Sequence, residues 1–360
     1  MNDDFATAMR RSLEQTRAGN PLAATRAIQA ALAGSSGAPT AFAANPQEAR
    51  PRAKPTASRP RLSQVVADLA QLRRGANLMP GRTRPTLEVP EGAAFERRQH
   101  TGPYGARDYR LYIPSDLKAP VRGVILMLHG CTQSPEDFAA GTRMNAHAER
   151  HGLIVAYPEQ TRAHNASSCW NWFRPGDRTR AGGEAALLAD LAAAVAKDHD
   201  VPAGRIFAAG LSAGGAMAAI LAQTHPEVFA AVGVHSGLAS GSANDVMSAL
   251  GAMRGDPAPG AESVCVPAII FHGSADRTVA PVNAGRLAGR LEKFARSTGE
   301  AAGRRYDVLT SRTPGGHSIE VWRIDGAGHA WSGGSTEGSY ADPTGPDATA
   351  EMVRFFLERD

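Results

Sequence analysis

The sequence predicts an α/β protein whose mostly parallel sheet is covered by helices on both faces. Short apolar runs alternate along the chain with longer segments of helical periodicity, which is the order that parallel strands and crossover helices produce. Two of the apolar runs, 123–128 and 153–157, contain no charged residue, as expected for strands buried on both faces. With 360 residues, of which 42% are hydrophobic, the chain is long enough to bury the core that such a sheet needs.

Each element of this sheet is predicted from its own pattern. Tyr109, Leu111 and Ile113 alternate with polar residues, which indicates a strand with one exposed face. Further strands are expected at 123–128, 153–157, 205–209, 229–234, 267–272 and 318–324. Helices are expected at 136–150, 183–198, 213–224, 283–297 and 347–358. Gly152 suits the position just after the first of these helices, where a left-handed residue commonly ends a helix.

Composition divides the chain into three regions. Residues 1–34 carry apolar residues at helical spacing and are expected to form a helical hairpin, a small docking or regulatory appendage. Residues 35–94 are expected to be a flexible linker with one helix at 61–75, because much of this region is rich in Gly, Ser, Ala, Pro and Arg. Residues 95–360 contain all the predicted strands and are expected to form the α/β domain.

Charge and hydropathy argue against two classes of protein. The net charge of +4 is a small excess of 39 basic over 35 acidic residues, with no basic run, so nucleic-acid binding is not expected. No stretch of eighteen apolar residues is present, so no membrane span is expected.

The N-terminal residues begin with two acids and lack the apolar core of a secretory signal, which favours a cytoplasmic location.

The three cysteines, Cys131, Cys169 and Cys265, are too few and too far apart for a disulfide framework or a CxxC metal site. One bridge with one free thiol remains open, and the sequence does not determine which pair would form it. No GxGxxG follows an early strand, so a dinucleotide-dependent dehydrogenase is disfavoured and no cofactor or metal is expected.

A GxSxG motif supplies the candidate nucleophile. Residues 210–214 read Gly-Leu-Ser-Ala-Gly between a predicted strand and a predicted helix. A sharp strand-to-helix turn of this kind lifts the serine hydroxyl above the sheet edge, which is the nucleophile elbow of the α/β-hydrolase fold. We therefore predict an α/β-hydrolase with Ser212 as its nucleophile.

Such a serine needs a histidine to take its proton and a carboxylate to orient that histidine, in the chain order Ser, acid, His. Asp276 follows the predicted strand 267–272, and His329 follows the predicted last strand through a glycine-rich approach. Two other histidines are disfavoured, because His317 precedes that strand and His235 precedes the acid. The predicted triad is Ser212, Asp276 and His329.

Two backbone amides are expected to stabilise the oxyanion of the tetrahedral intermediate. Ala213 directly follows the nucleophile, and Cys131 lies in the loop after the first long buried strand. An aromatic segment at 168–173 precedes the nucleophile, and Trp331 follows the predicted base. Trp170, Trp172 and Trp331 are predicted to wall an apolar substrate site, with a packed aromatic cluster as the alternative.

Several strings together resemble the polyhydroxybutyrate-depolymerase family of esterases. They are LHGCTQ (128–133), SCWNWF (168–173), GLSAGGAMA (210–218), FHGSAD (271–276) and GAGHAW (326–331). The resemblance covers about residues 95–358 and implies hydrolysis of ester bonds in short-chain hydroxyalkanoate polymers or oligomers. It also implies the triad roles for Ser212, Asp276 and His329.

Two other functions remain open. The family includes feruloyl and acetylxylan esterases with similar cores, so the chain is alternatively a carboxylesterase of that type. In a different class, it is an adaptor whose N-terminal helices dock a partner or a polymer granule beside a relic hydrolase core. Many members of the family are secreted, which leaves an extracellular location open as well.

Overall fold

A computed structural model describes residues 87–117, 121–291 and 293–358 of the chain. The predicted hairpin at 1–34 and the predicted helix at 61–75 lie outside the described residues, and both stay predictions. The first strand begins at Ala94, next to the predicted start of the α/β domain.

The described residues form a main sheet, a short second sheet and the helices around them. The strands are β1 (Ala94–Gly102), β2 (Gly105–Ile113), β3 (Gly123–Leu128), β4 (Leu153–Pro158), β5 (Ile206–Leu211), β6 (Ala231–His235), β7 (Ala268–Gly273), β8 (Phe294–Ala301), β9 (Arg304–Arg312), β10 (Ser318–Ile324), β11 (Trp331–Ser332) and β12 (Ala341–Asp342). The α-helices are α1 (Pro135–Thr142), α2 (Met144–His151), α3 (Gly183–Asp198), α4 (Ala213–Thr224), α5 (Val246–Arg254), α6 (Val282–Ala288) and α7 (Ala348–Leu357).

The main sheet has ten strands in the order β1-β2-β4-β3-β5-β6-β7-β10-β9-β8. Its central strands, from β4 to β10 in that order, pair in parallel. Antiparallel pairs close both edges, with β1 and β2 at one side and β8 and β9 at the other. The predicted α/β-hydrolase fold, with a mostly parallel sheet, is confirmed.

The core lies on both faces of the sheet, because successive side chains of a strand point to opposite faces. In β3, Val124, Leu126 and Leu128 pack into one apolar cluster. The intervening Ile125 and Met127 pack into the other cluster. The burial of both faces explains why the central strands read as continuous apolar runs.

Two helix predictions need correction. The helix expected at 136–150 is interrupted at Arg143, whose left-handed φ of 55° ends α1 and starts α2. The helix expected at 283–297 ends at Ala288, and Gly289 follows with a φ of 69°. The residues beyond it form β8 instead, because an antiparallel partner, β9, is available to pair with it.

Other elements were missed or shifted slightly. β1, β8, β9, β11, β12 and α5 were not predicted, and of these only β11 overlaps one of the sequence motifs. β5 and β6 begin one or two residues later than expected, which is the usual uncertainty of element ends. Within the described residues, no helix is both long and apolar enough to cross a membrane.

Candidate active site

Ser212 lies at a sharp turn between β5 and α4. β5 ends at Leu211 and α4 begins at Ala213, so the serine alone makes the connection. Its backbone has φ 58° and ψ −118°, a strained combination for a residue with a side chain. The Ser212 amide donates to the carbonyl of His235 at 2.9 Å, which ties the turn to the end of β6. The turn has the geometry of a nucleophile elbow.

The glycines of the GxSxG motif are required by close backbone contacts. A Cβ atom at Gly214 would lie 1.9 Å from the carbonyl oxygen of Leu128. A Cβ atom at Gly210 would lie 2.4 Å from the carbonyl carbon of Gly214. Neither position has room for any side chain. The start of α4 therefore packs in close backbone contact with the end of β3, where the predicted oxyanion loop begins.

Asp276 and His329, the predicted acid and base, are in direct contact. His329 Nδ1 lies 2.7 Å from Asp276 Oδ2, although the two residues are 53 positions apart in the chain. The other carboxylate oxygen, Oδ1, accepts hydrogen bonds from the amides of Thr278 and Val279, both at 2.9 Å. The carboxylate is therefore fixed on one side and meets Nδ1 of the imidazole on the other, which is the contact that a triad acid makes with its histidine.

The surroundings of Asp276 favour its ionised form. Burial by itself would raise the pKa of this carboxyl group, since its side chain is fully buried. The hydrogen bond and charge of His329 outweigh that effect, with further contributions from the Val279 amide and the nearby His272. Together they lower the pKa of the Asp276 carboxyl group below its ordinary value. This ionised state is the one in which the carboxylate of a catalytic triad orients its histidine.

The three predicted triad residues follow strands of the same parallel set. Ser212 follows β5, Asp276 follows β7 and His329 follows β10, so all three lie at the carboxyl edge of the sheet. Within the part of the chain that the structure describes, the Ser212 hydroxyl makes no hydrogen bond to His329. Catalytic hydrogen bonds are often long in a free enzyme and tighten when substrate is bound.

The two rival histidines occupy structural positions. His235 is buried at the end of β6, stacks between Phe271 and Trp331, and accepts a hydrogen bond on Nε2 from the amide of Ser332 at 3.1 Å. Burial, with the charges of His272 and His329, lowers the pKa of His235 to about 3, so it stays neutral at ordinary pH. His317 lies in the turn before β10, at the opposite end of that strand from His329.

The two amides predicted to bind the oxyanion flank the elbow. Ala213 is the first residue of α4, where amides have no acceptor within their own helix. The Cys131 amide donates no hydrogen bond within the described segments. A Cβ atom at Gly130 would be 3.6 Å from the carbonyl oxygen of Leu211, so the loop that carries Cys131 runs close beside the nucleophile turn.

A disulfide holds this loop to the aromatic segment. Cys131 is bonded to Cys169 across a separation of 38 residues, and Cys265 is free. The sequence had left open which pair would form. The amide of Thr132 also donates to the carbonyl of Ser167 at 3.0 Å, which gives the two segments a second link. The predicted oxyanion loop is therefore cross-linked to the segment that follows β4.

The three tryptophans predicted to wall the substrate site are all buried. Trp170 is 0% exposed, Trp331 is 1% exposed and Trp172 is 6% exposed. The indole N–H of Trp170 donates to the carbonyl of His129 at 3.0 Å, and that of Trp331 donates to Thr349 Oγ1 at 2.9 Å. These inward contacts favour the alternative of aromatic packing for Trp170 and Trp331, and contact of the three with substrate stays a prediction.

Sequence reasoning missed the polar side chains that support the oxyanion loop from its other side. Gln133 Oε1 accepts a hydrogen bond from the Gly130 amide at 2.9 Å. Gln133 Nε2 in turn donates to Asp137 Oδ2 and to the carbonyl of Ser339, each at 2.9 Å. The only hint in the sequence was the place of Gln133 in the string 128–133, since its partner Ser339 is 206 residues away.

Comparison with solved structures supports the fold. An acetyl xylan esterase from Aspergillus awamori aligns with 72% of this chain and 98% of its own, with a TM-score of 0.56 and 21% sequence identity. At this level of identity the likeness concerns the fold alone.

Curated relatives are similar over part of their length. Poly(3-hydroxyalkanoate) depolymerase C from Paucimonas lemoignei is 32% identical over 241 residues, which cover 61% of this chain and 57% of that protein. Feruloyl esterase B from Neurospora crassa is 33% identical over 129 residues, covering 36% of this chain and 43% of that protein. The chain thus spans about half the length of these relatives.

The model of the family described as Esterase PHB depolymerase matches residues 107–310, which include Ser212 and Asp276 and end before His329. This match covers more than half of the chain, which therefore belongs to the Esterase PHB depolymerase family.

Proposed function

We propose that this protein is a serine esterase that hydrolyses ester bonds of short-chain polyhydroxyalkanoates or their oligomers. The observation that carries the proposal is the 2.7 Å contact between Asp276 and His329 at the sheet edge where Ser212 occupies a strained elbow. Family membership supports the reaction class. The name of the Paucimonas lemoignei relative supports the substrate class.

The proposed reaction has two halves joined by an acyl-enzyme. His329 Nε2 takes the proton of Ser212 as Oγ attacks the ester carbonyl carbon, and the carbonyl oxygen becomes an oxyanion facing the amides of Ala213 and Cys131. Collapse of this intermediate breaks the ester C–O bond, and the leaving alkoxide takes the proton from His329. Water then attacks the acyl group with His329 again as base, which releases the acid and restores Ser212.

A second substrate class is favoured by specific relatives. Feruloyl esterase B from Neurospora crassa and a probable acetylxylan esterase A from Aspergillus clavatus are both similar to this chain, so feruloyl and acetyl esters of polysaccharides form the alternative. A panel of purified substrates separates the two. Faster turnover of 3-hydroxybutyrate oligomers than of feruloyl and acetyl-sugar esters supports the first proposal, and the reverse order supports the alternative.

The adaptor hypothesis is tested with a general esterase substrate. Its docking element, the predicted hairpin at 1–34, lies outside the described residues and stays a prediction. An ordered contact between acid and base is not expected of a relic site. Turnover of a short-chain p-nitrophenyl ester by the wild type, lost in Ser212→Ala, excludes an inactive core, whereas an inactive wild type favours the adaptor.

We infer that the protein works in an oxidising compartment rather than in the cytoplasm that its N-terminal residues predict. Disulfides form and persist in oxidising compartments and are rare in the cytoplasm, and Cys131 and Cys169 are paired beside the proposed oxyanion hole. Thiol alkylation of protein in intact cells tests this. Modification of Cys265 alone supports the inference, and modification of all three cysteines contradicts it.

A further inference from the structure

A buried polar network lies beneath the proposed oxyanion loop and centres on Glu184. This residue is in the first turn of α3 and is only 5% exposed. Its Oε2 accepts from the Asn171 amide at 2.7 Å, and its Oε1 accepts from Asn171 Nδ2 at 2.8 Å and from Gln160 Nε2. Three donors and the helix N-terminus offset part of the cost of burying this carboxylate, although burial still raises the pKa of Glu184 above its ordinary value.

A buried arginine supplies the opposite charge. Arg107, on β2, is 4% exposed and lies with Nη2 4.0 Å from Glu184 Oε1. Its Nη1 donates to Gln160 Oε1, and its guanidinium carbon is 5.6 Å from the ring centre of Trp170. An ion pair of two buried groups is costly to desolvate, and its partners offset only part of that cost, because Arg107 Nε is buried without a hydrogen-bond partner among the described residues.

The network reaches the oxyanion loop through two routes. In the first, the Gln160 amide donates to His129 Nε2 at 3.1 Å, and His129 Nδ1 donates to the carbonyl of Gly130 at 2.7 Å. Burial lowers the pKa of His129 to about 4, so the imidazole is neutral and able to accept and donate in this way. Each bond restricts the backbone directly before Cys131.

The second route runs through the disulfide. Gln160 Nε2 also donates to the carbonyl of Cys169 at 3.0 Å, and Cys169 is bonded to Cys131. The neighbouring Trp170 donates from its indole N–H to the carbonyl of His129 at 3.0 Å. Both ends of the oxyanion loop are therefore tied to segments that Glu184 holds in place.

We propose that Glu184 is a positioning residue for the oxyanion hole, which orients the Cys131 amide through Gln160, Asn171 and the segments they hold. This inference rests on the proposed esterase function. Glu184 does not touch the reacting atoms. Its effect comes from fixing a backbone donor where the charge of the transition state develops, and a donor that is already oriented costs no reorganisation during the reaction.

Glu184→Gln is the direct test, because it keeps the size of the side chain and replaces one acceptor oxygen with an NH₂ group. That group would face the donors of Asn171 or Gln160. Removing a whole oxyanion donor costs roughly 100- to 1,000-fold in kcat, so a misplaced donor is expected to cost about 10- to 100-fold. Glu320→Gln is the matched control, since Glu320 also binds an arginine, Arg354, but lies on β10 well before its carboxyl end.

The measurements are kcat and KM with p-nitrophenyl butyrate, and inhibition constants for an alkyl trifluoromethyl ketone and for butyrate. The ketone forms a tetrahedral adduct with an oxyanion, whereas butyrate only occupies the site. In Glu184→Gln we expect a lower kcat, a KM within about threefold, and a ketone constant that rises in step with the loss of kcat/KM, while the butyrate constant does not change. Glu320→Gln is expected to match the wild type.

A kcat within twofold of the wild type overturns the inference, and so does a loss of kcat without weaker ketone binding. If Glu184→Gln does not fold, Gln160→Met is used, because it leaves the Glu184–Arg107 pair intact while removing the side-chain amide that joins Glu184 to the Cys169 carbonyl. The backbone amide of residue 160 still donates to His129 in this variant, so the link between Glu184 and Gln160 is the part that it tests. The same pattern is then required, and its absence overturns the inference. A wild type without esterase activity would instead contradict the proposed function, and the inference that rests on it.

Discussion

The proposed active site has two sides that are built in different ways. On the acid–base side, Asp276 and His329 meet directly, and Asp276 is fixed by amides only two and three residues further along its own loop. On the oxyanion side, the backbone around Cys131 is held by a disulfide and by a buried network that begins at Glu184.

The difference reflects what each side contributes to the proposed reaction. A side chain reaches its target from a short loop and needs one good partner to set its orientation. A backbone amide has no such freedom, so its direction is set by the whole loop and by everything that packs against it. The acid–base side therefore depends on single residues, whereas the oxyanion side depends on many, and substitutions on the two sides should differ in size.

The largest effect is expected at the nucleophile, where both sides converge. Ser212→Ala removes the attacking oxygen and should lower kcat by roughly a million-fold, as for other triads. Ser236→Ala is the matched control, because Ser236 also has a positive φ, 49°, directly after the neighbouring strand β6. Steady-state kinetics with p-nitrophenyl butyrate measures both, and residual turnover above a thousandth of wild type in Ser212→Ala would contradict its assignment.

On the acid–base side, Asp276→Asn should lower kcat by about ten thousand-fold, because an amide favours the wrong tautomer of His329. Asp325→Asn provides the comparison, since Asp325 lies on the same approach to His329 but is exposed. It should retain near wild-type activity in the same assay. Equal activity of the two variants would mean that Asp276 does not orient the base.

On the oxyanion side, replacing both Cys131 and Cys169 with serine should lower kcat by about 10- to 100-fold, because the loop loses one of its several ties. Closing a loop of 38 residues is also expected to contribute about 4 kcal/mol to the free energy of unfolding. Kinetics and denaturant unfolding measure the two effects, with Cys265→Ser as control. A double variant as active as the control would show that the loop does not depend on the disulfide.

The effect furthest from catalysis concerns acid stability, to which the buried neutral histidines His129 and His235 contribute. The pKa values of His129 and His235 are lowered to about 4 and about 3, so the unfolded chain takes up these protons first as the pH falls. Stability should therefore decrease below about pH 6.5, by roughly 1.4 kcal/mol per pH unit for each histidine.

Thermal unfolding between pH 7.5 and pH 4.5 measures this slope. His235→Gln removes one of these protons and should flatten the dependence. An identical slope in wild type and His235→Gln would contradict the account of the buried histidines.

The two sides also differ in how much of them was predictable from sequence. Ser212 and Asp276 each follow a strand with a recognisable apolar run, and His329 follows a predicted strand through a glycine-rich approach. Parallel strands bring their carboxyl ends to one edge. The fold class and the central strands were predictable for the same reason. A rule about position along the chain is enough to find these residues.

The oxyanion side follows no such rule. Arg107, Gln160 and Glu184 come from three separate elements, and each alone reads as an ordinary polar residue. Their pairing depends on how those elements pack in three dimensions, as does the pairing of Cys131 with Cys169. The hairpin of β8 and β9 was missed for a related reason, since helical propensity after 283 was overridden by strand pairing at the sheet edge.

Labelling with a fluorophosphonate, followed by peptide mapping, tests the central claim most directly, because the reagent reacts with a serine that a neighbouring base activates. We predict a single adduct on Ser212 in the wild type, and a labelling rate in Asp276→Asn that falls by about the same factor as kcat/KM. An adduct on another residue of an active enzyme, or labelling of Ser212 at an unchanged rate in Asp276→Asn, would contradict the account.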